Sequence, residues 1–389
     1  MYKKISIYIS ACLGMTFFGI AFIVMGSVLP SVTAKYSLDT VGASSLVTFL
    51  PIGVLLGSLI FGPIVDRFGY KNLLLTSAFI TALGLGGLSY FDHLDALRFS
   101  IFLIGFGGGI LNGETNALVA DIYDDHERSA KLSLLGVFYG IGALGVPLLL
   151  GMLSKLYSYE VIVRGTAVFM LLCIIFIAFV RFPKPKHAQG FPIKKALSLV
   201  KEPLLLLLSL ILFFQSGLEG LLNNWTTSYL TASTTISHDN IVFTLTFLVL
   251  GITLSRLVLA FLLQTAKPYN VLSIGMIILL VGSILLYYSK NFTLVSFSLF
   301  LIGVGMAGVF PIMLGFIGNY YKETTGTAIS IALFIALCGN SLLNYSMGYV
   351  SKVFEIKIFP ILLLLILGLQ AIVLYSVVRY RNPKLNNND

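Results

Sequence analysis

The sequence predicts an all-α membrane protein, with twelve transmembrane helices arranged as two six-helix halves that repeat in parallel. Three observations carry that expectation. Of 389 residues, 57% are hydrophobic and 11% charged, against about 45–50% and about 25% in soluble domains, so there are too few charges to cover a water-facing surface. Apolar runs of about 20 residues, each long enough to cross a bilayer as a helix, recur along the chain. A single offset of 198 positions lays several short motifs of the first half on the second.

The apolar runs occupy residues 5–30, 41–65, 73–90, 98–121, 131–152 and 162–181, then 203–231, 240–264, 271–288, 293–318, 327–350 and 357–379. The first follows Lys3 and Lys4 as a secretory leader would. It runs too long for one and carries no small-residue cleavage site, so it reads as a span. The longest interruption, residues 182–202, holds Pro183, Pro185, Pro192, Lys184, Lys186, Lys194 and Lys195. It reads as a cytoplasmic linker between an N-terminal half, residues 1–181, and a C-terminal half, residues 203–389.

The repeat rests on named positions. FLIG at 102–105 falls on FLIG at 300–303, Gly107 on Gly305, Tyr123 on Tyr321, Gly53 on Gly251 and Gly19 on Gly217. The basic residues orient the chain. One set of loops holds Lys35, Arg98, Lys155, Arg164, Lys290, Lys352 and Lys357, while the other set and the two ends hold the rest apart from Arg256, which lies inside the eighth span. By the positive-inside rule both termini face the cytoplasm, and the expected location is a plasma (inner) membrane.

The formal net charge of +9 therefore reads as topology and not as a nucleic-acid surface. Cys12, Cys173 and Cys338 all fall in apolar runs, and His93, His126, His187 and His238 lie apart in loops, so neither a metal site nor a cofactor is expected. No catalytic constellation is present, and the chain reads as a non-enzyme. GxGxxG occurs at Gly140–Gly145 and Gly303–Gly308, but inside apolar runs with no preceding strand, so both read as helix packing through small residues.

Polar side chains inside the spans are the candidate site. Asn112, Glu114 and Asn116 sit near the middle of the fourth span. At 3.6 residues per turn the two asparagines share a face and Glu114 is turned about 200° from Asn112. Gln215, Glu219 and Asn223 recur every four residues on one face of the seventh span, followed by Trp225, the only tryptophan, and Tyr229. Ionisable groups at such depth cost about 2.5–3.5 kcal/mol each on insertion scales, so they are expected to face protein or water. Arg256 and Glu114 lie at matched depth, about 12 Å from the ends of helices running the same way, which permits pairing. Solute contact is assigned to Asn112, Asn116, Tyr139, Gln215, Asn223, Trp225, Asn340 and Asn344. Glu114 and Glu219 are candidates for proton coupling or for fixing Arg256, the intramembrane charge partner.

Between the second and third spans, Gly62-Pro63-Ile64-Val65-Asp66-Arg67-Phe68-Gly69-Tyr70-Lys71 matches GxxxDRxGxxK. Its glycines permit close helix approach and a tight turn, and Asp66 and Arg67 can pair with neighbouring helix ends. Loop, position and parallel repeat together resemble the major facilitator superfamily. GLEGLLNNWTTSYL at Gly217–Leu230, Gly251 with Arg256, and Phe310-Pro311 resemble its fucose–proton symporter and glucose-permease branch.

The resemblance implies a secondary transporter working by alternating access, with Gly62, Asp66, Arg67, Gly69, Lys71 and Arg128 gating it. The counterpart of Asp66 is Gln264, so a second latch is degenerate. Asn116 matches the branch's asparagine, whereas Asn112 occupies its glutamate position and Glu114 is displaced by two. The branch's acidic residue in the first helix has no counterpart in residues 11–30, and its fifth-helix glutamine is Gly136. The expected activity is proton-coupled uptake of a sugar or similar small polar solute by a monomer in the lipid bilayer. The alternative is proton-driven efflux of amphipathic compounds, for which Phe17, Phe22 and Met25 would suit a greasy cavity, although the fifth span lacks the Gly-Pro pair of such exporters.

Overall fold

A computed structural model describes residues 3–38, 40–153, 155–184 and 198–385. Most of the linker, including Lys186, Pro192, Lys194 and Lys195, lies outside the described residues. The chain runs α1 (Lys4–Lys35), α2 (Thr40–Phe68), α3 (Tyr70–Tyr90), α4 (Leu94–Ile122), α5 (Asp125–Leu153), α6 (Tyr159–Phe179) and α7 (Pro203–Ser233). It continues with α8 (His238–Leu262), α9 (Pro268–Tyr288), α10 (Phe292–Met306), α11 (Val309–Tyr320), α12 (Thr325–Phe354) and α13 (Phe359–Leu385). Among the described residues twelve segments are long and apolar enough to cross a membrane, and the protein is an all-helical membrane protein.

The tenth crossing, Phe292–Tyr320, is made of two helices where the sequence predicts one. The break at Ala307 and Gly308 has a local cause. Pro311 has no N–H to give to the carbonyl four residues back, so the ladder is interrupted there.

Two compact units divide the chain. The first comprises Met1–Tyr123, Leu135–Ala196 and Tyr321–Ser330; the second comprises Asp124–Leu134, Leu197–Tyr320 and Ile331–Asp389. The first turns of α12 thus pack in the first unit, and the first turns of α5 in the second.

The repeat is written in glycine contacts. In the first unit Gly53 on α2 lies against the carbonyl of Phe102 on α4, and Gly105 on α4 against the carbonyl of Leu50. In the second unit Gly251 on α8 lies against the carbonyl of Phe300 on α10, and Gly303 against that of Leu248. Every partner is displaced by the same 198 positions. A further pair that the motif comparison passes over behaves alike: Gly84 meets Ser100 and Ile104, and Gly282 meets Ser298 and Ile302. Small residues let backbones touch where lipid offers no hydrophobic drive between helices. The same reading holds for Gly142, which meets Thr16, but not for Gly145, beside which there is open space.

Candidate functional site

On α4 in the first unit, Asn116 is buried and its Nδ2 donates to Asn112 O at 2.7 Å and to Asn112 Oδ1 at 3.2 Å. The two amides are therefore one hydrogen-bonded pair on one face. Glu114 points elsewhere: Ser77 of α3 donates its hydroxyl to Glu114 Oε1 at 2.5 Å. The residue is 1% exposed, and its Oε2 has no hydrogen-bond partner among the described residues. Glu114 therefore lies in the α3–α4 seam, away from the partners of the asparagine pair.

Tyr139 on α5 packs against Phe18 and Phe22 of α1, with ring centroids 5.3 and 6.4 Å away. Phe18 was not among the sequence candidates, because only the partner helix selects it. Of the three residues suited to a greasy cavity, Phe17 and Met25 are buried in the core and only Phe22 is exposed.

On α7 in the second unit, Gln215 is fully buried. Its Nε2 donates to Glu219 Oε1 and to the carbonyl of Met306, both at 3.2 Å. Gln370 of α13 donates to Gln215 Oε1 at 3.2 Å. Gln370 was missed from sequence although a signal existed, a single amide in the apolar run from Phe359 to Leu374.

A second cluster joins α7 to α12. Trp225 Nε1 and Asn224 Nδ2 both donate to Asn344 Oδ1, at 3.2 and 3.0 Å. Asn344 donates to Asn340 O at 2.8 Å, and Asn340 donates to Ser216 O at 2.8 Å. Gly220 lies against both amides, where a side chain would displace them. Asn223 is exposed and bonds its own helix at Glu219 O, 2.8 Å away. Tyr229, by contrast, is 3% exposed, with its ring 5.5 Å from that of Phe359, and belongs to the core. Asn224 escaped the sequence reading because it lies off the face set by Gln215, Glu219 and Asn223.

The GxxxDRxGxxK residues divide their tasks. Asp66 is 2% exposed and accepts from Gly326 N at 3.1 Å, Thr327 N at 2.8 Å and Thr327 Oγ1 at 2.7 Å. It thereby caps the N-terminus of α12, where unpaired N–H groups and the helix dipole favour an anion. Gly62 meets Gly326 and Thr327 directly, and Gly69 adopts φ 81°, a turn that only glycine takes without strain. Arg67 departs from expectation. It is exposed and lies 5.0 Å over the ring of Phe68, and Lys71 is the cation that reaches a helix end, donating to Ala178 O of α6 at 2.6 Å. Tyr70 donates to Asp121 Oδ2 at 2.5 Å.

In the second unit Arg128 pairs with Asp125 at 2.7 Å, and Ser133 donates to Arg256 O at 2.8 Å. Gln264, the repeat counterpart of Asp66, lies just past α8 and folds back to Ala260 O of that helix at 3.0 Å.

A family profile described as Major Facilitator Superfamily matches residues 11–230 and 208–389. The glucose/mannose transporter GlcP of Bacillus subtilis (strain 168) is 24% identical over 379 residues, 92% of each chain. Multidrug resistance protein MdtH of Salmonella paratyphi C (strain RKS4594) is 28% identical over 154 residues, 38% of each chain. Among solved structures, the E. coli fucose:proton symporter FucP matches with a TM-score of 0.80 at 17% identity, over 96% of this chain and 98% of that one. That last likeness is one of fold.

Proposed function

Because the chain belongs to the Major Facilitator Superfamily, a family of transporters and not of enzymes, we propose that it takes up a sugar or similar polyhydroxylated solute. Uptake proceeds by alternating access and is driven by a proton gradient, with no other cofactor. The observation that carries this reading is the Trp225–Asn224–Asn344–Asn340 cluster. It ties the indole N–H to several amides across two apolar helices. Amides offer both donors and acceptors to hydroxyl groups, and an indole face suits the apolar face of a sugar ring. The Asn112–Asn116 pair supplies the same chemistry on α4. The similarity to GlcP over 92% of each chain supports the solute class.

Glu219 is the proposed proton carrier. Gln215 donates to it, so a change in its charge alters a network that also reaches Met306 and Gln370, and Arg256 is its proposed charge partner. Glu114 is assigned a structural role in the α3–α4 seam. Asp66, which reaches from α2 to the start of α12, is the proposed latch, with Lys71 and Gly69 holding its loop.

The test is uptake of radiolabelled monosaccharides into proteoliposomes under an imposed proton gradient. Concentrative uptake is expected in the wild type, and loss of accumulation with retained exchange in Glu219→Gln. Unchanged accumulation in that variant would remove Glu219 from coupling. Efflux of amphipathic compounds is the second reading, favoured by the partial match to MdtH. Dye export with no sugar uptake in the same vesicles would select it.

A further inference from the structure

We propose that a groove between α1, α5 and α6 in the first unit holds one acyl chain of an anionic phospholipid, at a site separate from the transported solute. The groove is a cavity of about 490 Å³, lined among others by Thr16, Ile20, Gly145, Leu149, Gly165 and Phe169. Its two threonines contribute no polarity. Thr16 Oγ1 donates to Cys12 O and Thr166 Oγ1 to Ile162 O, each at 3.0 Å, so both hydroxyl protons are spent on their own helices. Apart from the Tyr157 hydroxyl at its end, the lining offers a polyhydroxylated solute few partners.

The glycines shape the groove. Gly142 brings α5 against the backbone of α1 at Thr16, whereas no atom lies within 4 Å of where a side chain on Gly145 or Gly165 would begin. Two glycines with nothing against them, on facing helices, leave a channel open where ordinary packing would close it.

The size fits a chain in one leaflet. On α5 the lining runs from Ile141 to Leu153, a rise of about 18 Å, a little over half of the roughly 30 Å hydrocarbon core. At the membrane-surface end stands Lys155, between the lining residues Leu153 and Tyr157. It is exposed and has no hydrogen-bond or ion-pair partner among the described residues. A phosphate at the glycerol end of the chain would sit beside that ammonium group. Because lipid tails are as apolar as the groove, burial alone gives no preference. Shape and the charge at Lys155 supply it.

The test uses the full chain in nanodiscs containing phosphatidylglycerol with a photoactivatable group midway along one acyl chain. Adducts should concentrate on Leu149, Val161 and Phe169 and saturate at one lipid per protein. Leu254, Val258 and Phe261 of α8, all exposed, report on unspecific surface lipid. Gly145→Leu with Gly165→Leu should bring groove labelling down to that surface level. Gly145→Ala, too small to fill the channel, should label as the wild type. Should the double variant fail to fold, Gly165→Leu alone carries the same expectation.

Lys155→Gln should lower labelling at subsaturating lipid by about five-fold, and zwitterionic phosphatidylcholine should show the same deficit with the wild type. Uniform labelling of all exposed helices would overturn the proposal. So would labelling indifferent to the filled groove, or displacement of the label by a lipophilic cation such as tetraphenylphosphonium. The readout does not involve transport, so it stands or falls apart from the proposed solute.

Discussion

Asp66 and Thr327 are joined twice, through the backbone N–H at 2.8 Å and the side-chain hydroxyl at 2.7 Å, with Gly326 N–H as a third donor at 3.1 Å. A buried carboxylate at a helix start combines a cap with a favourable charge–dipole arrangement. Asp66→Ala leaves the first N–H groups of α12 without an acceptor and should destabilise the protein by about 1–3 kcal/mol. Thr327→Val removes one bond of three and should cost about 1 kcal/mol or less. Thermal unfolding of the purified variants checks the order. Equal losses would mean that the hydroxyl, and not the carboxylate, organises the contact.

Trp225 is the only tryptophan in the chain, so intrinsic fluorescence reads one indole whose N–H is donated to Asn344. Asn344→Ala should change the emission of the unliganded protein and weaken sugar binding about ten-fold, the equivalent of about 1.4 kcal/mol, within the range for a hydrogen bond left unmade. Titration with monosaccharides should quench or shift the wild-type signal. A flat titration alongside measured uptake would place Trp225 in packing alone.

Much of this arrangement could be read from residue spacing. Asn112 and Asn116 share a face because they are four apart, and Glu114 is turned away by the same arithmetic. What spacing cannot supply is the partner helix. Phe18, Asn224 and Gln370 matter because of what lies opposite them, and Tyr229, which sits at a motif position, is taken into the core by Phe359. Asp66 carried its charge and its place at a helix end in plain view. Its acceptor role toward α12 depends on residues 260 positions later in the chain. The break at Ala307 and Gly308 was legible in Pro311, but a continuous apolar run concealed it.

At one end of the first unit Lys35 bonds Asp92 at 3.0 Å and Glu160 at 3.1 Å, tying α1 to the α3–α4 turn and to α6. The hydrogen bond from Lys35 holds the Asp92 carboxyl below the usual carboxylate range. A depressed folded pKa contributes stability that is present above the unfolded value of about 3.9 and lost as pH falls through the folded value. The small difference in melting temperature between wild type and Asp92→Asn should therefore be constant from pH 7 to about 5 and vanish only below about 4. Melting curves across that range test it. A difference that changes near pH 6 would point to another group.

The glycine contacts give opposite expectations for the same substitution. At Gly53 and Gly251 an added methyl group meets a backbone carbonyl of the crossing helix, at Phe102 and Phe300. Neither backbone can move without separating α2 from α4, or α8 from α10. Gly53→Ala and Gly251→Ala should each destabilise by about 1–3 kcal/mol, the range for overpacking a close contact. Gly145→Ala meets nothing and replaces a residue of high backbone freedom within a helix, so it should be neutral or stabilising by up to about 1 kcal/mol. Because Gly53 and Gly251 are repeat counterparts, their costs should agree more closely with each other than with any other glycine. Melting temperatures of the three single variants decide the matter, and a loss at Gly145 as large as at Gly53 would contradict the open groove beside it.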